Sequence, residues 1–410
     1  MHKIKMAPPG PNARKIVDGF KKFLIDTTFS YPFVIKSGSG CYLEDVDGNM
    51  YLDFNSNVCS CAVGYNHPEI IKTIHDHSEL AAPKLAGQDF FIEEHLRLAE
   101  KLLSISPKNF TKVLIINTGA EAVENSIKLA YRKRGPLPGV SCLNAFHGRT
   151  LGALTFTYSK PVQKKNYPQL ENKRIKFCTD DLDKDVDQIE HLLKRDHEVA
   201  FVITEIVQGE GGYNIASKNF VRKLRKTTQI YGIPLIVDEV QTGLGRTGKW
   251  WAFEHYDIEP DIFCTAKSLQ VGATLTTDQY DPKEQGAVSS TWGGGQRIDL
   301  AVGLKMLEII EKKRLLKNAT NQGDYLLKRL KELHEKFPEK IKNPRGLGLM
   351  LAFDVDSETT KKDFEERAFQ NGLILMGCGH NSIRVTPPLI IEKEQIDEGM
   401  EILEQVVRLI

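Results

Sequence analysis

The sequence predicts an α/β protein: a mostly parallel central sheet covered by helices, joined to a smaller α+β unit. Three observations carry that reading. Strand-like apolar runs at Val113 to Ile116, Ala200 to Thr204, Pro234 to Val237 and Asp261 to Thr265 alternate with helical patterns, as parallel strands linked by helical crossovers do. After about Leu300 the pattern changes to one long helical stretch followed by short strands. A chain of 410 residues, 41% hydrophobic and 27% charged, is long enough for about two or three domains and a large core.

Taken in order, the N-terminal part supplies a helix from Ala13 to Ile25 and short strands around Cys41 to Leu43 and Met50 to Asp53, turned by Asp47-Gly48-Asn49. Asp45, Asp47 and Asn49 resemble part of a calcium loop, but the glycine and glutamate such a loop needs do not follow, so a hairpin turn is the reading. The run Val113 to Ile116 leads through Asn117-Thr118-Gly119-Ala120-Glu121 into a helix ending near Arg134. Thr118 and Glu121 form a capping box, and Arg132, Lys133 and Arg134 lie in the last turn, so both ends of this helix are specified. Beyond Leu300, a helical stretch to about Glu335 precedes strands at Gly346 to Val355, Gly372 to Met376 and Ile383 to Thr386, and a closing helix begins at Glu392. This organisation divides the chain into an N-terminal segment 1–58 that joins the smaller domain, a large domain 59–320 and a C-terminal small domain 321–410.

The charge balance of 55 basic against 54 acidic residues, net +1, provides no general field for nucleic acid or an anionic membrane. No stretch approaches the roughly 18 apolar residues of a membrane span, and Met1 to Gly10 is basic and proline-containing without an apolar core, so a cytoplasmic protein is expected. The 7 cysteines are odd in number and scattered, mostly in apolar segments, as expected of reduced core thiols; Cys59 and Cys61 have no second pair with which to hold a metal.

Five segments carry chemistry. The glycine-opened N-terminus of the helix at Gly119 presents free N–H groups and a positive dipole end beside a strand's C-terminus, a place for a phosphate. Ala145-Phe146-His147-Gly148-Arg149-Thr150 offers an aromatic face for a planar ring and an arginine for a carboxylate. Glu205, in Glu205-Ile206-Val207-Gln208-Gly209-Glu210, and Asp238, in Val237-Asp238-Glu239-Val240-Gln241, end neighbouring strands and point into the crevice where ligands bind such sheets. Gly243-Leu244-Gly245-Arg246-Thr247-Gly248 fits the dinucleotide glycine pattern, but acids precede it and Lys249-Trp250-Trp251-Ala252-Phe253 is no helix start, which argues against a nicotinamide enzyme. Lys267 ends the apolar run Phe263-Cys264-Thr265-Ala266, where a lowered pKa makes its amine available for a Schiff base. Each segment alone has a plainer reading as a cap, a packed loop or a surface lysine. Their order, phosphate turn, aromatic loop, strand-end aspartate and strand-end lysine, makes a pyridoxal phosphate site.

At these residues, from about Tyr31 to the C-terminus, the chain resembles the class III, fold type I, pyridoxal-phosphate-dependent aminotransferases. The resemblance implies pyridoxal 5'-phosphate as cofactor, with Lys267 holding it as a Schiff base and Asp238 pairing with the pyridine nitrogen. It places Gln241 near the ring hydroxyl, Phe146 on the ring, and Gly119 and Ala120 on the phosphate, with Thr118 and Val240 also among the cofactor-binding residues. Thr291, in Ser290-Thr291-Trp292-Gly293-Gly294, resembles the threonine that reaches the neighbouring subunit's cofactor, so a homodimer is expected. Gln270-Val271, the Thr291-Trp292-Gly293-Gly294 run and Gly377-Cys378-Gly379 ahead of Ile383-Arg384 are similar to L-lysine 6-aminotransferases. The 4-aminobutyrate and ornithine aminotransferases share the remaining motifs. Ile206, Gly295 and Gln296 depart from the family's usual residues and bear on the substrate rather than on the reaction.

The resemblance therefore implies transfer of a terminal amino group, that of L-lysine, to 2-oxoglutarate. A 4-aminobutyrate or ornithine aminotransferase, or an aminomutase on the same scaffold, stands as the alternative. Arg384 would clamp the α-carboxylate of the oxo acid and Glu210 would cover Arg384 while the first substrate is bound; Arg149 would hold the far carboxylate, and Glu205 is counted with the substrate-binding residues.

Overall fold

The computed structural model describes residues 1–28, 31–79, 90–180, 185–195, 197–289 and 294–410. Its centre is a seven-stranded sheet in the spatial order Lys112–Ile116, Gly272–Thr276, Ile262–Thr265, Leu235–Asp238, Phe201–Glu205, Gly139–Cys142, Asn172–Ile175. Gly272–Thr276 runs antiparallel to both of its neighbours, and the other pairings are parallel. The three central strands Phe201–Glu205, Leu235–Asp238 and Ile262–Thr265 are buried throughout, which is why they read as continuous apolar runs rather than alternating ones. Three acid-, lysine- or loop-bearing strand ends thus come to one edge of the sheet, the edge where ligands of open α/β sheets bind.

The helix Gly119–Arg134 covers this sheet and buries Ala122, Val123, Ile127 and Ala130. The capping box expected from the sequence forms: Thr118 Oγ1 accepts from Glu121 N at 3.2 Å, and Glu121 Oε2 accepts from Thr118 N at 3.0 Å. Asp47 does more than turn the chain. Its two oxygens accept from Asn12 N and Ala13 N, each at 2.9 Å, and so cap the helix Pro11–Phe23.

The N-terminal strands Ile35–Ser39, Tyr42–Asp45 and Met50–Asp53 form an antiparallel sheet whose last strand pairs in parallel with Leu373–Ile374. Lys342–Leu347, Met350–Asp354, Ser382–Val385 and Met376–Cys378 form a further antiparallel sheet. Leu52 and Phe54 share one apolar cluster with Phe353, Val385 and Leu403, whereas Val202, Leu235 and Phe263 belong to a second cluster under the main sheet. The single helix expected up to Glu335 is two, Arg297–Lys312 and Leu315–Lys336, broken where Arg314 takes φ 53°.

The glycine-rich run at 243–248 opens no helix. Gly245 and Gly248 take φ 94° and 90°, and a Cβ on Gly248 would stand 2.3 Å from Thr320 Oγ1, so the turn is packed against protein rather than open to a ligand. Arg246 inside it is buried and donates to Leu349 O, Pro387 O and Ser56 Oγ, tying the N- and C-terminal parts to the main sheet. Among the described residues no helix is long and apolar enough to cross a membrane, all 7 cysteines are free, and no cluster of metal-ligand type occurs.

Candidate active site

A cavity of about 310 Å³ lies at the strand ends, lined by Gly119, Ala120, Phe146, Arg149, Glu205, Glu210, Asp238, Val240, Gln241 and Lys267 among others. It adjoins a larger cavity of about 1120 Å³ that shares Phe146, Arg149 and Glu210 with it and adds Arg384. Residues as far apart in the chain as Gly119 and Arg384 thereby line two adjoining cavities. Thr118 stands behind the lining as the cap of the helix. Thr291 lies outside the described residues.

Asp238 closes the strand Leu235–Asp238 and is 5% exposed. Its Oδ1 accepts from Val240 N at 3.0 Å, and its Oδ2 accepts a hydrogen bond from His147 Nδ1 at 2.8 Å. Both carboxylate oxygens are therefore fixed, and an anion is held at the floor of the cavity. Among the described residues the far ring nitrogen of His147 is buried without a partner, as is Gln241 Oε1. His147 is a site residue that the sequence reading quoted only as part of the aromatic loop, because its partner lies 91 residues away.

Lys267 follows the strand Ile262–Thr265 and takes φ 50°, a backbone conformation that costs a non-glycine residue energy and is tolerated where surroundings impose it. Burial pushes its ammonium below the ordinary lysine range, and Arg384 adds to the effect against the opposing pull of Cys59, Glu210 and Asp238. Lys267 Nζ donates to Val58 O at 3.1 Å. That carbonyl belongs to a left-handed turn in which Ser56, Asn57, Val58 and Cys59 take φ 43°, 48°, 54° and 67°. Asp53 holds the turn by accepting from Asn55 N and Ser56 N. Asn tolerates such dihedrals and Val does not, so nothing in the residue types announces the turn.

Phe146 is positioned by Glu205, whose Oε2 accepts from Phe146 N at 3.0 Å while its Oε1 accepts from Gly209 N at 2.8 Å. Glu205 thus braces the aromatic loop against the loop carrying Glu210. Burial, opposed by His147 and reinforced by Asp238, pushes its carboxyl up to about 7. Arg149 lies with its guanidinium carbon 6.0 Å from the centre of the Phe146 ring, within cation–π range.

Arg384 Nη1 stands 3.0 Å from Glu210 Oε1. Burial alone would raise the Glu210 carboxyl, but Arg384 beside it holds it below the ordinary range. Glu210 and Arg384 are brought together, then, whereas Arg149 makes no ion pair among the described residues.

The helix N-terminus at Gly119 and Ala120 has N–H groups without intrahelical acceptors. A Cβ on Gly119 would come within 2.8 Å of Val240 Cγ1, so only glycine lets the helix end approach the strand ends. The cavity can therefore take a flat ring bearing a phosphate: anion donors at one end, a fixed carboxylate below, an aromatic face beside it and an amine within reach.

The sequence from 26 to 407 matches the family model described as aminotransferase class-III. The chain is 34% identical to the alanine/serine racemase of Pyrococcus horikoshii, over 99% of this chain and 92% of that protein. It is 33% identical to the acetylornithine aminotransferase of Archaeoglobus fulgidus, over 93% and 98%. Among solved structures, lysine aminotransferase from M. tuberculosis in the internal aldimine form superposes with TM-score 0.90 at 27% identity, covering 97% of this chain and 99% of that one.

Proposed function

The chain belongs to the class-III aminotransferases, which depend on pyridoxal 5'-phosphate, and from that premise we propose that it moves the terminal amino group of L-lysine to 2-oxoglutarate, giving an aldehyde and glutamate. The observation that carries the donor class is the 3.0 Å contact between Glu210 and Arg384. With Arg384 covered by Glu210, its guanidinium is not open to a carboxylate next to the reacting carbon, so a carbon bearing only an amine is accepted there. Arg149, which makes no ion pair among the described residues, takes the carboxylate at the donor's far end. When Glu210 turns away, Arg384 receives the α-carboxylate of 2-oxoglutarate, and one site serves two differently charged substrates.

The residues present fit the cofactor: the unpartnered Gln241 Oε1 lies in the cavity wall, and Gly119 and Ala120 offer donors to its phosphate. When bound, the group supplies an aldehyde carbon that takes up the amine and a ring that accepts the electron pair left on the substrate carbon. Asp238, oriented by His147, keeps a negative charge beside the ring nitrogen and so favours its protonated form. Phe146, in the cavity wall, would support the ring. Lys267 would be the amine that moves the proton from the donor's terminal carbon to its new position; its affinity for protons, lowered by burial, suits it to that work. The same reading makes the protein a homodimer in which Thr291 reaches the partner's cofactor. Phe90 and Phe91, 63% and 107% exposed, are apolar surface that a second copy would cover.

The test is a donor panel on the holoenzyme with 2-oxoglutarate as acceptor and glutamate as readout, using L-lysine, L-ornithine, N-acetyl-L-ornithine, 4-aminobutyrate and L-alanine. The highest kcat/KM is expected for L-lysine, and Glu210→Ala should shift preference toward α-amines. A higher value for 4-aminobutyrate or an ornithine would move the donor assignment. Racemisation of L-alanine without glutamate formation would replace the reaction.

A further inference from the structure

Both members of the Glu210–Arg384 pair hang from one three-residue stretch, Gly377-Cys378-Gly379. Arg384 Nη2 donates to Gly377 O at 2.9 Å, and the main-chain carbonyl of Glu210 accepts from Gly379 N at 2.8 Å. The stretch is itself gripped from outside by the helix Glu358–Gln370. Lys361 Nζ donates to Gly379 O at 2.9 Å and to His380 O at 2.8 Å. One turn further along the same helix face, Glu365 Oε1 accepts from Gly377 N at 2.6 Å. The chain of contacts thus runs unbroken from Glu365 through both polar groups of Gly377 to the guanidinium of Arg384.

The grip is close-fitting. A Cβ on Gly377 would stand 2.7 Å from Lys361 Cδ and 3.1 Å from Glu365 Oε2, and one on Gly379, at φ 52°, would stand 3.0 Å from Gly211 O. Lys361 is 6% exposed. Neither Lys361 nor Glu365 forms a side-chain ion pair among the described residues; each charge is directed at the main chain of the stretch. Lys361 and Glu365 stand one turn apart with opposite charges in each other's field, and hydrogen bonds from charged groups to the main chain hold the stretch more firmly than neutral contacts would. Both also line the larger cavity, together with Arg149 and Arg384.

We propose that Glu365 and Lys361 are positioning residues for the acceptor half of the reaction, fixing the Gly377–Gly379 stretch so that Arg384 stays aimed at the α-carboxylate of the 2-oxo acid after the Glu210 side chain has left it. The inference rests on the reading of Glu210 and Arg384 as an alternating pair. In the paired state Arg384 has Glu210 as well as Gly377 to orient it. Once the Glu210 side chain withdraws, the bond to Gly377 and the ring of Tyr213, 5.9 Å from the guanidinium carbon, are what remain. The main chain of Glu210 stays bonded to Gly379, so the carboxylate leaves and returns from an anchored base. Errors in the placement of the stretch therefore fall on the oxo acid and spare the donor, which meets Arg384 only in its covered state.

The experiment compares wild type, Glu365→Ala, Glu365→Gln and Lys361→Met as holoenzymes. Glu365→Ala should raise KM for 2-oxoglutarate roughly tenfold to a hundredfold, the size of effect that misplacement of a clamping group produces, while KM for the donor and the rate at which the donor bleaches the cofactor band hold steady. Glu365→Gln, whose amide oxygen still accepts from Gly377 N, should recover most of the loss, and Lys361→Met should show the same split as Glu365→Ala. Calorimetric binding of glutarate, an unreactive dicarboxylate, should weaken in parallel. Equal rises in the donor and acceptor KM values, or glutarate binding unchanged in both Glu365→Ala and Lys361→Met, would overturn the proposal. Failure of the underlying pair shows separately, as a Glu210→Ala enzyme whose preference between terminal and α-amines matches that of wild type.

Discussion

His147, Glu205 and Asp53 touch main chain or side chain next to the reacting groups, and each removes a freedom from one of them. His147 fixes the Asp238 carboxylate, Glu205 fixes Phe146, and Asp53 fixes the left-handed turn whose Val58 carbonyl meets Lys267. The arrangement buries several carboxyl groups, and this has a pH signature. Burial pushes Glu239, which accepts from Thr242 Oγ1 and Phe253 N, up from 4.5 to about 7. The folded chain therefore holds that proton more tightly than the unfolded chain. Its contribution to stability is complete below pH 4.5 and is lost as pH rises through about 7. At about 1.4 kcal/mol per pKa unit the effect amounts to no more than about 3.5 kcal/mol. Urea denaturation of the cofactor-free protein at pH 5 and pH 8 should show a shallower loss of stability in Glu239→Gln than in wild type; identical slopes would mean that Glu239 ionises at its ordinary pH in the fold.

The helix Gly119–Arg134 is the element whose ends matter most, because its first turn serves both as a cap and as the phosphate end of the cavity. Replacing Thr118 by Ala removes the acceptor for Glu121 N and should cost about 1 kcal/mol of stability. It should also weaken pyridoxal phosphate binding in an equilibrium titration. A stability loss with unchanged cofactor affinity would confine Thr118 to folding. This helix was legible in the sequence because its cap, its charged ends and its glycine are local signals. The central strands were legible as buried apolar runs, and the strand-end acids and Lys267 followed from them. Gly139–Cys142, Asn172–Ile175 and Gly272–Thr276 were not. Gly272-Ala273-Thr274-Leu275-Thr276 has small and mixed side chains, and the slot between the preceding strand Ile262–Thr265 and the distant Lys112–Ile116 makes it a strand. The break at Arg314 carries no glycine or proline to mark it, and Asp47 caps a helix that begins 36 residues earlier in the chain.

At the scale of the whole molecule, the site is assembled from parts that share no local sequence signal: Val58 from the N-terminal segment, Asp238 and Lys267 from the main sheet, Arg384 from the C-terminal sheet. Motif order singled out the groups proposed to react, since each stands at a strand or helix end. The groups that orient them, His147, Glu205, Lys361 and Glu365, act across folds of the chain that no spacing rule predicts. The central claim is that this assembly runs a two-substrate cycle through Lys267. The measurement that tests it most directly is the visible absorbance of the holoprotein, wild type and Lys267→Ala, on adding L-lysine and then 2-oxoglutarate. The account predicts that the wild-type cofactor band is lost with L-lysine and restored by 2-oxoglutarate, and that Lys267→Ala, with the same far-ultraviolet circular dichroism, completes no such cycle. A full cycle in Lys267→Ala, or a wild-type band indifferent to every amine donor, would contradict it.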